Sequence, residues 1–82
     1  MSFYVYVLKS LGVNSVTYVG YTSNLEKRIS LHNSGKGAKF TRGRKWKLIF
    51  KEKCNSKNEA ISREYFIKNN RKIRNKIKNN YK

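Results

Sequence analysis

The sequence predicts an α+β fold with the elements in the order β-β-α-β-α-α. Three observations carry this expectation. Two tyrosine-rich apolar runs flank a Gly/Asn/Ser turn cluster near the start of the chain, one alternating segment lies in the middle, and two Ser-x-x-Glu signatures each open an amphipathic stretch.

The run from Phe3 to Lys9 is β-branched and aromatic, and Val16 to Tyr21 repeats that chemistry after "SLGVNS", so the pair reads as a β-hairpin. In "TSNLEKRISLHNSGKG", Ser23 and Glu26 fit a capping box, and Leu25, Ile29 and His32 share one helical face before Gly35 and Gly37 stop it. "WKLIFKEKC" reads as a third strand with Trp46, Leu48, Phe50, Glu52 and Cys54 on one side. Ser56 and Glu59 repeat the capping signature ahead of Ala60, Ile61, Tyr65, Phe66 and Ile67, a helix suited to packing on a sheet. From about residue 69 a Lys/Asn-rich stretch carries only Ile73 and Ile77 as an apolar stripe and reads as a basic, marginal C-terminal helix or tail.

With 82 residues and no proline, repeat or linker, the chain is expected to form one domain, residues 1–82, with one small core. Lys and Arg total 20 against 4 acidic residues, a net charge of +16. Such a charge repels itself in a compact state unless a polyanion relieves it. Nucleic acid is the leading partner, an anionic membrane surface the second, and an AT-rich coding bias toward Lys and Asn the competing explanation. One cysteine, Cys54, excludes an internal disulfide, and one Cys with one His cannot complete a tetrahedral zinc site. Cys54 is expected as a buried structural thiol. No run reaches the roughly 18 apolar residues of a membrane span, and the start lacks a basic region and cleavage site, which points to the cytoplasm and to no membrane partner.

The shortage of acid is the most informative feature for chemistry. There is no aspartate, and of the 4 glutamates Glu26 and Glu59 sit in capping boxes while Glu52 alternates among lysines. Glu64 remains: it either pairs with Lys68 one turn on or holds a metal ion. One carboxylate suits one Mg²⁺ or Mn²⁺ completed by water and phosphate oxygens, and falls short of a two-metal cluster. Tyr6 and Tyr18 lie on adjacent strands, so their hydroxyls can converge, although aromatic packing explains strand tyrosines equally well. A phenol, with a reference pKa of about 10, needs a cationic neighbourhood to act as a base. Arg28 and His32 are one helical turn apart, a guanidinium fork for phosphate and an imidazole able to orient a phosphate oxygen, a water or a tyrosine. The loop "SGKGAKFTRGRK" supplies Lys36, Lys39, Arg42, Arg44 and Lys45 for a nucleic-acid backbone, with Phe40, and less so Trp46, available to stack on bases.

Taken together, these residues resemble the GIY-YIG nuclease superfamily, and more narrowly its small stand-alone bacterial members. "YVY" at Tyr4 to Tyr6 and "YVG" at Tyr18 to Gly20 occupy the places of the two signature tripeptides, and Arg28, His32 and Glu64 match the family's helix arginine, frequent histidine and metal-binding glutamate. "SGKGAKFT" and "AISREYFIK" also resemble stretches of the small bacterial members, and the similarity runs through almost the whole chain. The resemblance implies a three-stranded antiparallel sheet flanked by helices, with the tyrosines, Arg28 and Glu64 meeting over one face. It makes Tyr6 and Tyr18 active-site phenols and leaves Tyr4 and Tyr21 to packing or substrate contact. Two positions depart from the pattern: Tyr4 stands where the signature has its first glycine, and Tyr21 stands where excision-repair relatives carry a lysine. No added DNA-binding segment is present in the sequence, which argues against sequence-specific homing or restriction.

The expectation is therefore a metal-dependent endonuclease of little intrinsic sequence preference, acting on DNA or structured nucleic acid, with DNA favoured over RNA as partner and a possible targeting protein partner. Tyr6 would be the general base, Tyr18 its support or alternate, Arg28 a phosphate-charge stabiliser, His32 a positioner of water or phosphate, and Glu64 the holder of one Mg²⁺ or Mn²⁺. The alternative is a non-catalytic nucleic-acid-binding module of the same fold. Binding of the C-terminal helix to anionic lipid is weaker, because Ile73 and Ile77 make too narrow an apolar face.

Overall fold

The computed structural model describes residues 2–80. Tyr81 and Lys82, part of the predicted tail, lie outside the described residues, as does Met1. The elements are β1 (Phe3–Ser10), β2 (Thr17–Thr22), α1 (Leu25–Asn33), β3 (Trp46–Cys54), α2 (Lys57–Lys68) and α3 (Arg71–Asn80). The strands form one antiparallel sheet in the order β2-β1-β3, so β1 is central.

That central position explains why β1 reads as a continuous apolar run. Helices cover both faces of the sheet, and Val5, Tyr6, Val7, Leu8 and Ser10 are all buried. On one face Tyr6, Leu8 and Trp46 pack with Val16, Tyr18, Leu25, Ile29 and Leu48. On the other, Val5, Val7, Val19, Cys54, Ala60 and Ile67 form an aliphatic core, joined by Phe3, Tyr21, Ile49, Phe50, Ile73 and Ile77. Cys54 is a free, buried thiol, and burial pushes its pKa up.

The third strand does not keep the parity that simple alternation predicts. Its register runs from Val7↔Phe50 to Leu8↔Leu48, which leaves Ile49 as an extra residue in a β-bulge. One inserted residue exchanges the faces. Trp46 and Leu48 therefore pack under α1, while Phe50 and Cys54 pack under α2, and the five residues expected on one side are divided between two.

The first helix is capped by Asn24 rather than by Ser23. Asn24 Oδ1 accepts the Lys27 N–H at 3.1 Å, and Glu26 lies within the first turn, where a negative charge favours the helix N-terminus. The second helix is capped as expected: Ser56 Oγ accepts from Glu59 N at 3.1 Å, although the Glu59 carboxylate takes the Asn55 N–H, one residue before the cap. The basic C-terminal stretch forms a helix because it has a surface to fold on. Ile73 and Ile77 pack against the aliphatic core, Asn70 Oδ1 accepts from Ile73 N at 3.1 Å, and Lys78 Nζ donates to Ser15 O at 2.9 Å. No described helix is long and apolar enough to cross a membrane.

Candidate active site

The hairpin register builds the site. Tyr6 lies opposite Gly20, and Leu8 lies opposite Tyr18, so both phenols project from the α1 face of the sheet as diagonal neighbours. Their ring centroids are 6.4 Å apart. A Cβ at position 20 would lie 2.5 Å from the Tyr6 hydroxyl oxygen, so only glycine leaves room for the phenol to lie over β2. This is the physical reason for the glycine that closes "YVG".

His32 reaches the same place from the last turn of α1 and is fully buried. Its Nε2 is 2.9 Å from the Tyr6 hydroxyl, and its Nδ1 is 2.9 Å from Thr41 Oγ1. The Tyr18 ring lies 4.9 Å from the imidazole. Gly37 flanks the ring so closely that a Cβ there would collide with His32 Nδ1. With both nitrogens engaged and the ring enclosed, His32 is a partner of Tyr6, and a direct grip on water or phosphate does not match its surroundings. Of the three partners its position in sequence allows, the tyrosine is the one the fold provides.

The electrostatics follow from burial. The Tyr6 phenol is pushed up to about 12, by desolvation first and then by Tyr18, while the Arg28 guanidinium beside it works in the opposite direction and Glu64 adds a small upward push. Tyr18 is raised by burial, again against Arg28, with Glu64 raising it further. His32 is held neutral because burial and Arg28 both lower its pKa. Arg28 is half-buried, its Nε has no hydrogen-bond partner, and its charge acts on Tyr6, Tyr18 and His32 alike.

Glu64 sits half-buried on α2, near enough to both phenols to influence them. It does not pair with Lys68: among the described residues it makes no ion pair. The carboxylate that does pair is Glu52, which receives two bonds from Arg63 at 2.7 and 3.0 Å, a contact between β3 and α2 that local spacing does not reveal. Among the described residues no three His, Cys, Asp or Glu side chains come together. A single carboxylate beside a basic face fits one hard cation that keeps most of its coordination in water and phosphate oxygens. It does not fit zinc or a two-metal cluster.

Residues 2–80 match the family model for the GIY-YIG catalytic domain. The chain belongs to the GIY-YIG family. It is 54% identical over 66 residues to a UPF0213 protein of Clostridium perfringens, which spans 79% of this chain and 69% of that one. A UPF0213 protein of Staphylococcus haemolyticus is 52% identical over 66 residues, spanning 79% and 78% of the two chains. The solution NMR structure of the UPF0213 protein BH0048 from Bacillus halodurans superposes with a TM-score of 0.55 at 39% identity, covering 94% of this chain and 82% of that one.

Within this GIY-YIG domain Tyr4 and Tyr21 leave the cluster on different sides. Tyr4 shares the α1 face and lines a groove with Leu25, Ile29 and Leu48, whereas Tyr21 packs into the aliphatic core behind the sheet. The basic loop between α1 and β3 exposes Lys36, Lys39, Arg42, Arg44 and Lys45, of which Arg44 and Lys45 also donate to the Asn14 and Asn33 carbonyls at 3.4 Å. Phe40 remains exposed and stacks at 6.2 Å from Tyr18, while Trp46 is buried with its Nε1–H on Thr41 O at 2.9 Å and is not available to bases. A cavity of about 280 Å³ beside Tyr18 is lined by Thr17, Val19, Phe40, Lys68 and Arg74. Thr41, Gly37 and Arg74 are the parts of the GIY-YIG site surroundings that sequence reasoning passed over. The loop stretch containing Gly37 and Thr41 was visible as a motif, but nothing local assigns either residue to His32.

Proposed function

We propose that this GIY-YIG protein is a metal-dependent endonuclease that hydrolyses phosphodiester bonds in DNA or structured nucleic acid with little sequence preference, DNA being favoured over RNA as its partner. The observation that carries the proposal is the buried 2.9 Å contact between the Tyr6 hydroxyl and neutral His32, with the Arg28 guanidinium beside it.

A phenol held near 12 is a poor source of free phenolate at neutral pH. The contact with His32 removes that difficulty, because Tyr6 can take a proton from the attacking water while its own proton passes to His32 Nε2. The water oxygen forms a bond to phosphorus, the bond to the leaving oxygen breaks, and that oxygen takes a proton from solvent. Arg28 stabilises the charge that grows on the phosphate, and Tyr18, its ring 6.4 Å from that of Tyr6, would support Tyr6 or exchange roles with it. Glu64 would hold a Mg²⁺ or Mn²⁺ ion, which when bound supplies positive charge to the phosphate oxygens. The exposed cations from Lys36 to Lys45 would bind the backbone by counterion release, with Phe40 as a stacking surface. A targeting protein would then account for substrate choice.

The second reading, a binding module without catalysis, draws on one observation: Tyr6 is almost wholly buried and strongly favours its protonated form. Wild-type and Glu64→Ala proteins, incubated with duplex, branched and single-stranded DNA and RNA in Mg²⁺, Mn²⁺ or EDTA, separate the two. Cleavage by wild type only, with binding intact in the variant, is the expected outcome. Equal cleavage by Glu64→Ala overturns the role of Glu64, and binding without products across the panel favours the module.

A further inference from the structure

Thr41 lies in the turn that begins at Ala38, inside the basic loop, and is fully buried. Its hydroxyl donates to Ala38 O at 3.0 Å, accepts from Ala38 N at 3.2 Å and faces His32 Nδ1 at 2.9 Å. A hydroxyl has one hydrogen and two lone pairs. Ala38 O also accepts the Thr41 N–H at 3.2 Å; with the hydroxyl hydrogen on that carbonyl, the two lone pairs serve Ala38 N–H and His32, an arrangement that places the ring proton on Nδ1.

The opposite end of the imidazole leads to the same assignment. Tyr6 is buried, and its hydroxyl needs an acceptor; Arg28 beside it has donors only, whereas His32 Nε2 lies at 2.9 Å. The Tyr6 O–H therefore donates to an unprotonated Nε2. Two contacts on opposite sides of one ring are both satisfied by the same tautomer.

We propose that Thr41 is a positioning residue that locks His32 in the Nδ1–H tautomer, so that Nε2 stands as the proton acceptor for Tyr6. The proposal rests on the nuclease reading for its functional consequence but not for its chemistry. Everything around the turn serves to hold it still: the Trp46 indole N–H binds the Thr41 carbonyl at 2.9 Å, and the close approach of Gly37 confines the ring from its side. A histidine whose second nitrogen is fixed by a neighbour has both its tautomer and its ring orientation set. Thr41 touches no reacting atom itself. It acts through His32.

His32 is the single histidine of the chain, so a protein labelled with ¹⁵N only at histidine gives ring signals that need no assignment. Long-range ¹H–¹⁵N correlation at pH 8 reads the protonation of each nitrogen directly, without substrate or metal. Wild type is expected to show protonated Nδ1 and bare Nε2. Thr41→Val, equal in shape but without the hydroxyl, should lose the single tautomer and populate Nε2–H, and Thr41→Ser should restore the wild-type pattern.

In the cleavage assay Thr41→Val should lower kcat by about 10- to 100-fold with KM unchanged, the size typical of a lost orienting partner. Thr41→Ser should recover it. A wild-type protein with Nε2–H overturns the proposal outright, even if Thr41→Val fails to fold. A folded Thr41→Val protein that keeps the wild-type tautomer overturns it too. If wild type shows the expected tautomer and cuts nothing, the assignment of Thr41 to His32 is supported and the nuclease reading alone falls.

Discussion

The two faces of the sheet are built from the same three strands but packed by different rules. Behind the sheet, Val5, Val7, Val19, Cys54, Ala60 and Ile67 make a core with one buried thiol and no other titratable side chain among its fully buried members. In front lie two phenols, an imidazole and a threonine hydroxyl, with a hydrogen-bonded chain from Tyr6 through His32 to Thr41. A buried polar group is tolerable when it is hydrogen-bonded, and Tyr6, His32 and Thr41 satisfy this condition, while the Arg28 Nε beside them has no partner. The front face nonetheless gains less from burial than aliphatic packing does. The fold thus packs one face with aliphatic side chains and gathers the hydrogen-bonded polar groups on the other.

Three perturbations test this division, beginning with the largest. Ile67→Ala, on the rear face, should destabilise the fold by about 2–5 kcal/mol, since it removes a fully buried side chain and leaves a cavity. Guanidinium denaturation measures it, and the cleavage rate per folded molecule should be unchanged. A comparable loss of rate would show that the faces are coupled.

Gly20→Ala should strike both properties. The new Cβ, 2.5 Å from the Tyr6 oxygen, forces the phenol off its His32 contact, with overpacking of about 1–3 kcal/mol and a fall in kcat. A variant with wild-type stability and rate would refute the close-packed arrangement of Tyr6 over β2.

The smallest effect is a response to pH. Burial lowers the pKa of His32 in the folded state below its ordinary value of 6.5. Its contribution to stability is therefore complete above 6.5 and is lost as pH falls through the folded value. The denaturation midpoint should drop between pH 7.5 and 5, and His32→Gln should flatten that drop; an unchanged slope in the variant would assign acid sensitivity elsewhere. At the alkaline end the sign reverses for Tyr6 and Cys54, whose raised values make their contributions complete below the ordinary phenol and thiol range and lost as pH rises through the folded values. The window between pH 7.5 and 5 thus probes His32 on the front face, whereas alkali probes both faces.

Much of this was legible from local rules. The i,i+4 spacing of Arg28 and His32 puts them on one helical turn, and the period of two along a hairpin brings Tyr6 and Tyr18 to one face; the structure has both relations. Glu64 is left without an ion pair among the described residues, as the other duties of the glutamates suggest, though for Glu52 the duty is the Arg63 pair rather than its place in a strand.

What was not legible shares one character. Residue types and spacings determine element order, helix faces and the cast of the front face, because periodicity, capping and turn chemistry act within a few residues of the chain. The bulge at Ile49 depends on pairing with β1, some forty residues earlier in sequence, and one extra residue decides which side of the sheet Trp46 and Phe50 occupy. The helix from Arg71 depends on the floor that Ile73 and Ile77 find beneath the sheet, since so short and basic a segment has little intrinsic reason to be helical. The tautomer of His32 depends on Thr41, nine residues away in a loop, and on Tyr6, 26 residues back in a strand. Those contacts exist only once the chain has closed on itself, and closure is where sequence rules end and tertiary packing decides.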